Sequence, residues 1–120
     1  ISKEPLSPAV RDSDREWVDL VRWVTFAMIA AEEHGVTSAN VDDMRANSTD
    51  WEVRRLLGVE PGLGKGLGLD DQWAYRIIKS IGNYGEVFGP NLGSGSQFKL
   101  SRGLNNIWKN GGLLIAPPLR

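Results

Sequence analysis

The sequence contains no cysteine and a single histidine, His34, and each of these absences removes a class of function. Without cysteine the chain forms no disulfide, no thiolate metal site and no cysteine nucleophile. One histidine is also too few for a metal site built on a histidine pair from one chain. We therefore expect neither a metal nor another cofactor.

The chain also lacks a basic excess, a long apolar run and an initial methionine. Its 120 residues carry 14 Lys and Arg against 15 Asp and Glu. Nucleic acid is not an expected partner, because phosphate binding needs clustered cations. The longest apolar stretch, residues 23–31, is shorter than the roughly 20 residues of a membrane-spanning helix. Residue 1 is Ile, and no signal-peptide pattern follows it, so we expect either a piece of a longer protein or a processed product.

What is present fits one helical domain, since 41% of the residues are hydrophobic and 24% are charged. Ser13 and Glu16 have the spacing of a capping box. Apolar residues then recur at helical spacing up to Gly35, and they occupy two sides of the predicted helix. Residues 17, 20, 21, 24, 27, 28 and 31 form one side, and residues 18, 26 and 29 form the other.

N-cap residues and apolar residues at helical spacing predict further short helices, and no segment has a strand pattern of convincing length. Thr49 and Glu52 suggest a second capping box, and the acidic residues 70 and 71 are expected to begin another helix. The predicted segments are 37–44, 49–58, 70–81 with a broken continuation over 82–88, and 102–109. Residues 89–99 are expected to form a loop, and Ala9-Val10 could be an edge or crossover strand. The fold class predicted is all-α, with five or six helices and short loops.

Several groups of residues resemble binding or catalytic motifs, but a structural role explains each of them better. Glycines alternate around Lys65, yet no strand precedes them and no Ser or Thr follows the lysine, as a phosphate loop requires. The acidic pairs 42–43 and 70–71 lie near predicted helix starts, where carboxylates are favourable. His34 is expected to be exposed at a helix end. No catalytic residue is therefore assigned, and the chain is not expected to be an enzyme.

The five tryptophans are the notable excess, and core packing is the default expectation for them. A first helix that is apolar on two sides needs partners on both. One side is expected to remain open and to support self-association as a homodimer or larger assembly. The candidate interface residues are Trp17, Leu20, Val21, Val24 and Met28.

Several blocks of the sequence resemble one protein family in order and without a large gap. They are residues 12–23, 31–42, 54–58, 82–88, 102–105 with Trp108, and the closing 111–120. They are similar to the general L-amino-acid branch of the periplasmic binding proteins that serve ABC importers. Gly89-Pro90 and Ile115 depart from that family's pattern, and the former suggests a helix that ends early.

The resemblance covers only the C-terminal third of such proteins, which have two lobes that close on the ligand. It implies an extended crossover segment over residues 1–12 and a helical C-terminal region of the first lobe over 13–120. It further implies a non-catalytic periplasmic receptor segment that works with ABC importer membrane subunits. An L-amino acid would bind only to the intact two-lobed protein, because the family's ligand-holding residues lie upstream of Ile1. The alternative is a free-standing helical module for interaction or oligomerisation.

Overall fold

The computed structural model describes residues 7–119, and these residues form an all-α arrangement with one isolated β-bridge. The α-helices are α1 (Arg15–Glu33), α2 (Val41–Asn47), α3 (Trp51–Leu56), α4 (Trp73–Ile81) and α5 (Tyr84–Asn91). A short 3₁₀ helix at Lys65–Leu67 lies between α3 and α4, and two more follow α5 at Gly103–Asn105 and Trp108–Asn110. The predicted fold class is thus confirmed.

The first helix organises the core by packing against α3, α4 and α5. Its small residues Ala27, Ala30 and Ala31 are buried and allow the shorter helices to approach closely. The largest fully buried side chains include Leu56, Leu57 and Ile78, which come from α3, its C-cap and α4. A helix of six or seven residues is marginal in isolation, so this packing is what stabilises α2 and α3.

Two predicted caps lie one residue away from their true positions. Asp14 caps α1 by accepting a hydrogen bond from the Trp17 amide at 3.0 Å, so Ser13 is not the cap. Asp50 caps α3 through the amides of Glu52 and Val53, so Thr49 is not the cap. Serine, threonine and aspartate all suit this position, and sequence spacing alone does not choose between neighbours.

The capping box that the structure does contain begins α5. The Asn83 side chain accepts from the Glu86 amide, and the Glu86 carboxylate accepts from the Asn83 amide. Gly82 separates α4 from α5 with φ +87°, and an added Cβ there would meet the Glu86 side chain at 2.6 Å. The broken continuation predicted for this region is therefore a separate helix.

The C-terminal quarter differs most from its prediction. Helix α5 continues through Pro90 to Asn91, so the early end expected at Gly89-Pro90 is wrong. Pro90 lies next to the helix end, where the absent amide removes only one intrahelical bond. The α-helix predicted over 102–109 is also wrong, because two 3₁₀ turns and a parallel bridge between Ile107 and Leu114 occupy that region.

At the other terminus, residues 7–11 have no regular structure, and the strand predicted at Ala9-Val10 is absent. Residues 1–6 of the predicted extended segment lie outside the described range. Among residues 7–119, no helix is long and apolar enough to cross a membrane.

Candidate functional site

Helix α1 is buried over residues 27–31, and its earlier turns have one face in the core and one face against a groove. The core face includes Ala27, Ala30 and Ala31, with Trp23 and Val24 packed against the same cluster. The opposite face borders a groove that runs beside the irregular residues 7–10. This geometry agrees in part with the two apolar sides expected from the sequence, because Val18 and Phe26 of the second side border the groove, whereas Ile29 of the same side is only 5% exposed.

The groove has a volume of about 330 Å³, and we call it the α1 groove. Helix α1 contributes Val18, Val21, Arg22, Thr25 and Phe26, and the preceding segment contributes Ser7, Pro8 and Val10. Two of its polar side chains, Thr25 and Arg22, already contact other groups of α1. The Thr25 hydroxyl donates to the Val21 carbonyl at 3.0 Å, and the Arg22 guanidinium contacts Asp19 at 3.3 Å. The groove therefore presents mainly apolar surface.

The structure does not bring the five predicted interface residues together. Val21 lines the groove, Val24 packs on the core, and Leu20 is half-buried. Met28 is only 8% exposed, whereas Trp17 is 51% exposed. Val18 and Phe26 line the groove instead, and they belong to the second apolar side that the sequence pattern already contained.

The tryptophans divide between core and surface, which corrects the expectation that they pack in the core. Trp73 is 3% exposed and Trp23 is half-buried, where it meets Phe26 edge to face at 5.8 Å. Trp17, Trp51 and Trp108 are each more than half exposed. Two of these surface rings lie beside a cation, because Arg55 approaches Trp51 and Lys109 approaches Trp108.

The C-terminal end of α1 anchors the irregular segment that follows α5. The carboxylate of Glu32 accepts hydrogen bonds from both terminal nitrogens of Arg102, each at 3.0 Å. The neighbouring Glu33 accepts from the Ala116 amide through its carboxylate and from Lys109 through its carbonyl. A further cation, Arg55 on α3, donates to the Leu119 carbonyl at 2.8 Å. These charged groups hold the segment in place rather than forming an open binding site.

His34 lies between two carboxylates of α3 instead of pointing into solvent as expected. Its Nδ1 is 3.5 Å from Asp50 and its Nε2 is 3.1 Å from Glu52. The side chain is 19% exposed, so the imidazole bridges the end of α1 and the start of α3. This geometry fits a structural contact between the two helices.

The paired acids make structural contacts, some at helix starts as the sequence indicates and others to residues further away in the chain. Asp42 and Asp43 lie in the first turn of α2. Hydrogen bonds from Tyr75 and Lys79 lower the pKa of Asp42, while those from Arg76 and the Gln72 amide lower the pKa of Asp70. No group of three or more metal-ligating side chains occurs within residues 7–119.

The glycine-rich loop around Lys65 is folded onto Asp71. One carboxylate oxygen of Asp71 accepts from the amides of Gly62 and Gly64, each at 2.9 Å. A Cβ at Gly64 would collide with the carbonyl oxygens of Leu69 and Asp70. The amides that a phosphate would need are therefore partly occupied, and the glycines serve a tight loop.

Residues 7–119 are thus all-α, with an apolar face of α1 that borders a groove and with charged groups that hold the segment after α5 to the rest of the chain. The chain matches no protein-family model. Its similarity to individual proteins is extensive, however, and covers its whole length.

The chain is 54% identical over 120 residues to YhdW of Escherichia coli K12, provisionally named an amino-acid ABC transporter-binding protein. It is 52% identical to the glutamate/glutamine/aspartate/asparagine-binding protein BztA of Rhodobacter capsulatus. It is also 52% identical to the general L-amino acid-binding periplasmic protein AapJ of Rhizobium johnstonii. The chain spans only 35% or 36% of the length of these relatives.

A solved structure supports the same relationship. The ABC transporter periplasmic binding protein from Brucella ovis, with glutathione bound, is 48% identical and superposes with a TM-score of 0.85. That match covers 92% of this chain and 35% of the Brucella ovis chain. The resemblance to amino-acid-binding proteins of ABC transporters is thus confirmed for a segment of about a third of their length. These relatives are all named as binding proteins.

Proposed function

We propose that this chain is the C-terminal segment of a periplasmic amino-acid receptor for an ABC importer. The observation that carries the proposal is identity above 50% along all 120 residues to proteins named as amino-acid-binding components of such transporters. Identity of that extent over a whole segment favours a shared architecture and a shared, non-catalytic role. The membrane subunits of the importer are then its transport partners.

In this proposal the chain builds the receptor and does not itself hold the ligand. Residues 1–12 are the crossover segment from the other lobe, and residues 13–120 are the outer helical layer of the first lobe. An α-amino acid needs a cation and an anion in one dry cleft, since both of its charges lose water on entry. The α1 groove is a poor cleft for this purpose, because Arg22 pairs with Asp19 and the other lining side chains are largely apolar.

The role of the α1 groove is then to receive the remainder of the receptor. Val18, Val21 and Phe26 offer an apolar strip to which no helix other than α1 within residues 7–119 contributes lining, and burial of such a strip is favourable. The residues named from the sequence contribute unequally: Val21 lies in the groove and Trp17 is on the open surface, whereas Val24 and Met28 mainly support α1 from within.

A chimera tests the proposal directly. This chain would replace the matching third of the Rhodobacter capsulatus relative, and calorimetry would measure binding of glutamate, glutamine, aspartate and asparagine. We expect the chimera to bind them within about tenfold of the unmodified relative, a difference of about 1.4 kcal/mol. The isolated chain should give no binding heat with any common L-amino acid.

Two results would contradict the proposal. Micromolar binding of an amino acid by the isolated chain would place a ligand site within these residues. A folded chimera that binds none of the four ligands, together with a discrete oligomer of the isolated chain, would favour a free-standing interaction module.

A further inference from the structure

The segment that follows α5 exposes large apolar side chains instead of covering them. Six of them are between 53% and 72% exposed, and together we call them the tail surface: Phe98, Leu100, Leu104, Trp108, Leu113 and Ile115. Single exposed apolar residues are normal on a protein. Six within 18 consecutive positions are unusual, and such concentrations mark interaction sites.

The polar groups of the same segment point the other way, into the body of the chain. Arg102 reaches Glu32, Lys109 reaches the Glu33 carbonyl, and the Ala116 amide reaches the Glu33 carboxylate. These contacts, together with the buried Ile107 and Leu119, hold the inner side of the segment to the body of the chain. The six large apolar side chains of the tail surface remain outside, which indicates that this surface is covered in the functional protein.

Backbone contacts hold the tail surface in a defined shape. The Leu113 amide donates to the Leu104 carbonyl at 2.8 Å, and the Trp108 amide donates to the Leu114 carbonyl at 2.9 Å. Gly112 lies so close to the Asn106 carbonyl that no side chain fits there. A surface already ordered before binding loses less conformational entropy when a partner covers it.

The charged residues near the tail surface also indicate the chemistry of its partner. Every Asp and Glu of the chain precedes Val87, while Lys99, Arg102, Lys109 and Arg120 follow it. Of the described cations, Lys99 and Lys109 are exposed near the tail surface, although the Lys109 ammonium also donates a hydrogen bond to the Glu33 carbonyl. An apolar patch with cations at its rim fits a complementary apolar patch with acidic residues at its rim.

We propose that the tail surface docks on the other two-thirds of the same receptor, through an apolar patch with an acidic rim. This inference rests on the proposed function. The relatives are nearly three times as long as this chain, so the required polypeptide belongs to the same molecule in each of them. The contact is separate from the α1 groove, which residues 7–26 form. The segment would thus be held to the rest of the receptor at two places.

The absence of cysteine allows a clean accessibility experiment. Leu113→Cys would be labelled with a maleimide in the isolated chain at low concentration and in the Rhodobacter capsulatus chimera. We expect labelling to be at least tenfold slower in the chimera. Lys65→Cys, at an exposed loop position, is the matched control and should label at similar rates in both. The unsubstituted chimera gives the background, and the Rhizobium johnstonii relative is the second host should the first chimera not fold.

The outcomes separate this inference from the proposed function. Amino-acid binding by the chimera reports on the function, whereas protection of position 113 reports on the tail surface. Equal labelling rates in the isolated chain and a ligand-binding chimera would overturn the docking proposal alone. Protection that grows with concentration of the isolated chain would assign the surface to a second copy. Protection of the chimera only after addition of phosphatidylglycerol vesicles would assign it to a membrane, and either result would overturn the proposal.

Discussion

The guanidinium of Arg102 donates one hydrogen bond to each carboxylate oxygen of Glu32. Both bonds measure 3.0 Å, and the two residues are 70 positions apart in the sequence. Both side chains are mostly buried, at 17% and 14% exposed. The guanidinium also lies near the rings of Tyr84 and Phe88, at 5.3 and 5.2 Å from their centroids. Arg102 therefore joins α1, α5 and the irregular segment after α5.

We expect Arg102→Ala to lower the free energy of unfolding by about 3 kcal/mol, because it leaves the Glu32 carboxylate buried without its partner. Urea denaturation measures this loss. Arg76→Ala is the control, since it removes an exposed ion pair with Asp70 and should therefore lower the free energy of unfolding much less than Arg102→Ala. Equal losses in the two variants would mean that Arg102 contributes no more than a surface ion pair.

Neither the Arg102 contact nor the shape of the tail could be predicted from the sequence. Helices α1, α3 and α4 have local signals: apolar residues at helical spacing and acids at their starts. The segment after α5 has few such signals, and its conformation depends on Glu32 and Glu33, about 70 and 80 positions away. Contacts of such separation leave no periodic pattern near the residues that they fix.

The candidate surface was predictable only in part, for a geometric reason. Helix α1 has apolar residues on two sides, and its sequence does not state which side the other helices cover. The core uses the side of Ala27 and Ala31, so the groove forms on the side of Val18 and Phe26. Val21 lies near the boundary of the two sides, which explains why it alone of the five predicted residues lines the groove.

The tryptophans provide a second stability prediction. Trp73→Ala should cost about 3–5 kcal/mol, because the ring is 3% exposed within the core. Trp17→Ala should cost less than about 1 kcal/mol, because half of that side chain already faces water. Chemical denaturation of both variants gives the comparison. A large loss for Trp17→Ala would show that its ring packs against the chain more closely than its exposure indicates.

The hydrogen bonds of the Glu86 carboxylate predict that the stability of the fold depends on pH. Burial raises the pKa of its carboxyl, but hydrogen bonds from Ser38 and the Asn83 amide outweigh burial and hold the pKa below its ordinary 4.5. A carboxyl with a depressed pKa stabilises the fold fully above its unfolded pKa, and that contribution is lost as pH falls through the folded value. The contribution should thus be constant near neutrality and decline below pH 4.5.

The variant Glu86→Gln isolates this contribution. Near pH 7 it should be less stable than the unmodified chain by about 1 kcal/mol, since these are partly exposed bonds to a charged group. The difference should shrink as the pH falls below 4.5, where the carboxyl becomes protonated. Urea denaturation at several pH values measures it. A difference that stays constant from pH 7 to about pH 3 would exclude a contribution from the ionised carboxyl.

The last prediction concerns the isolated chain, whose α1 groove has no receptor to cover it. Val18, Val21 and Phe26 then leave apolar surface open to water. Burial of about 600 Å² of apolar surface between two copies would be favourable by about 15 kcal/mol before costs. Association costs of about 4–15 kcal/mol oppose it. We therefore expect the isolated chain to form a homodimer or larger assembly at about tens of micromolar, with α1 at the interface.

Sedimentation at several concentrations tests this expectation, and Val21→Lys tests the location of the interface. A lysine in the groove would have to lose its hydration in the dimer, so the variant should weaken association at least about tenfold. Ser94→Lys adds the same charge at an exposed loop position and should leave association unchanged. Both variants must keep the helical circular dichroism of the unmodified chain. A chain that remains monomeric at these concentrations would mean that residues 7–10 already close the groove well enough to keep two copies apart.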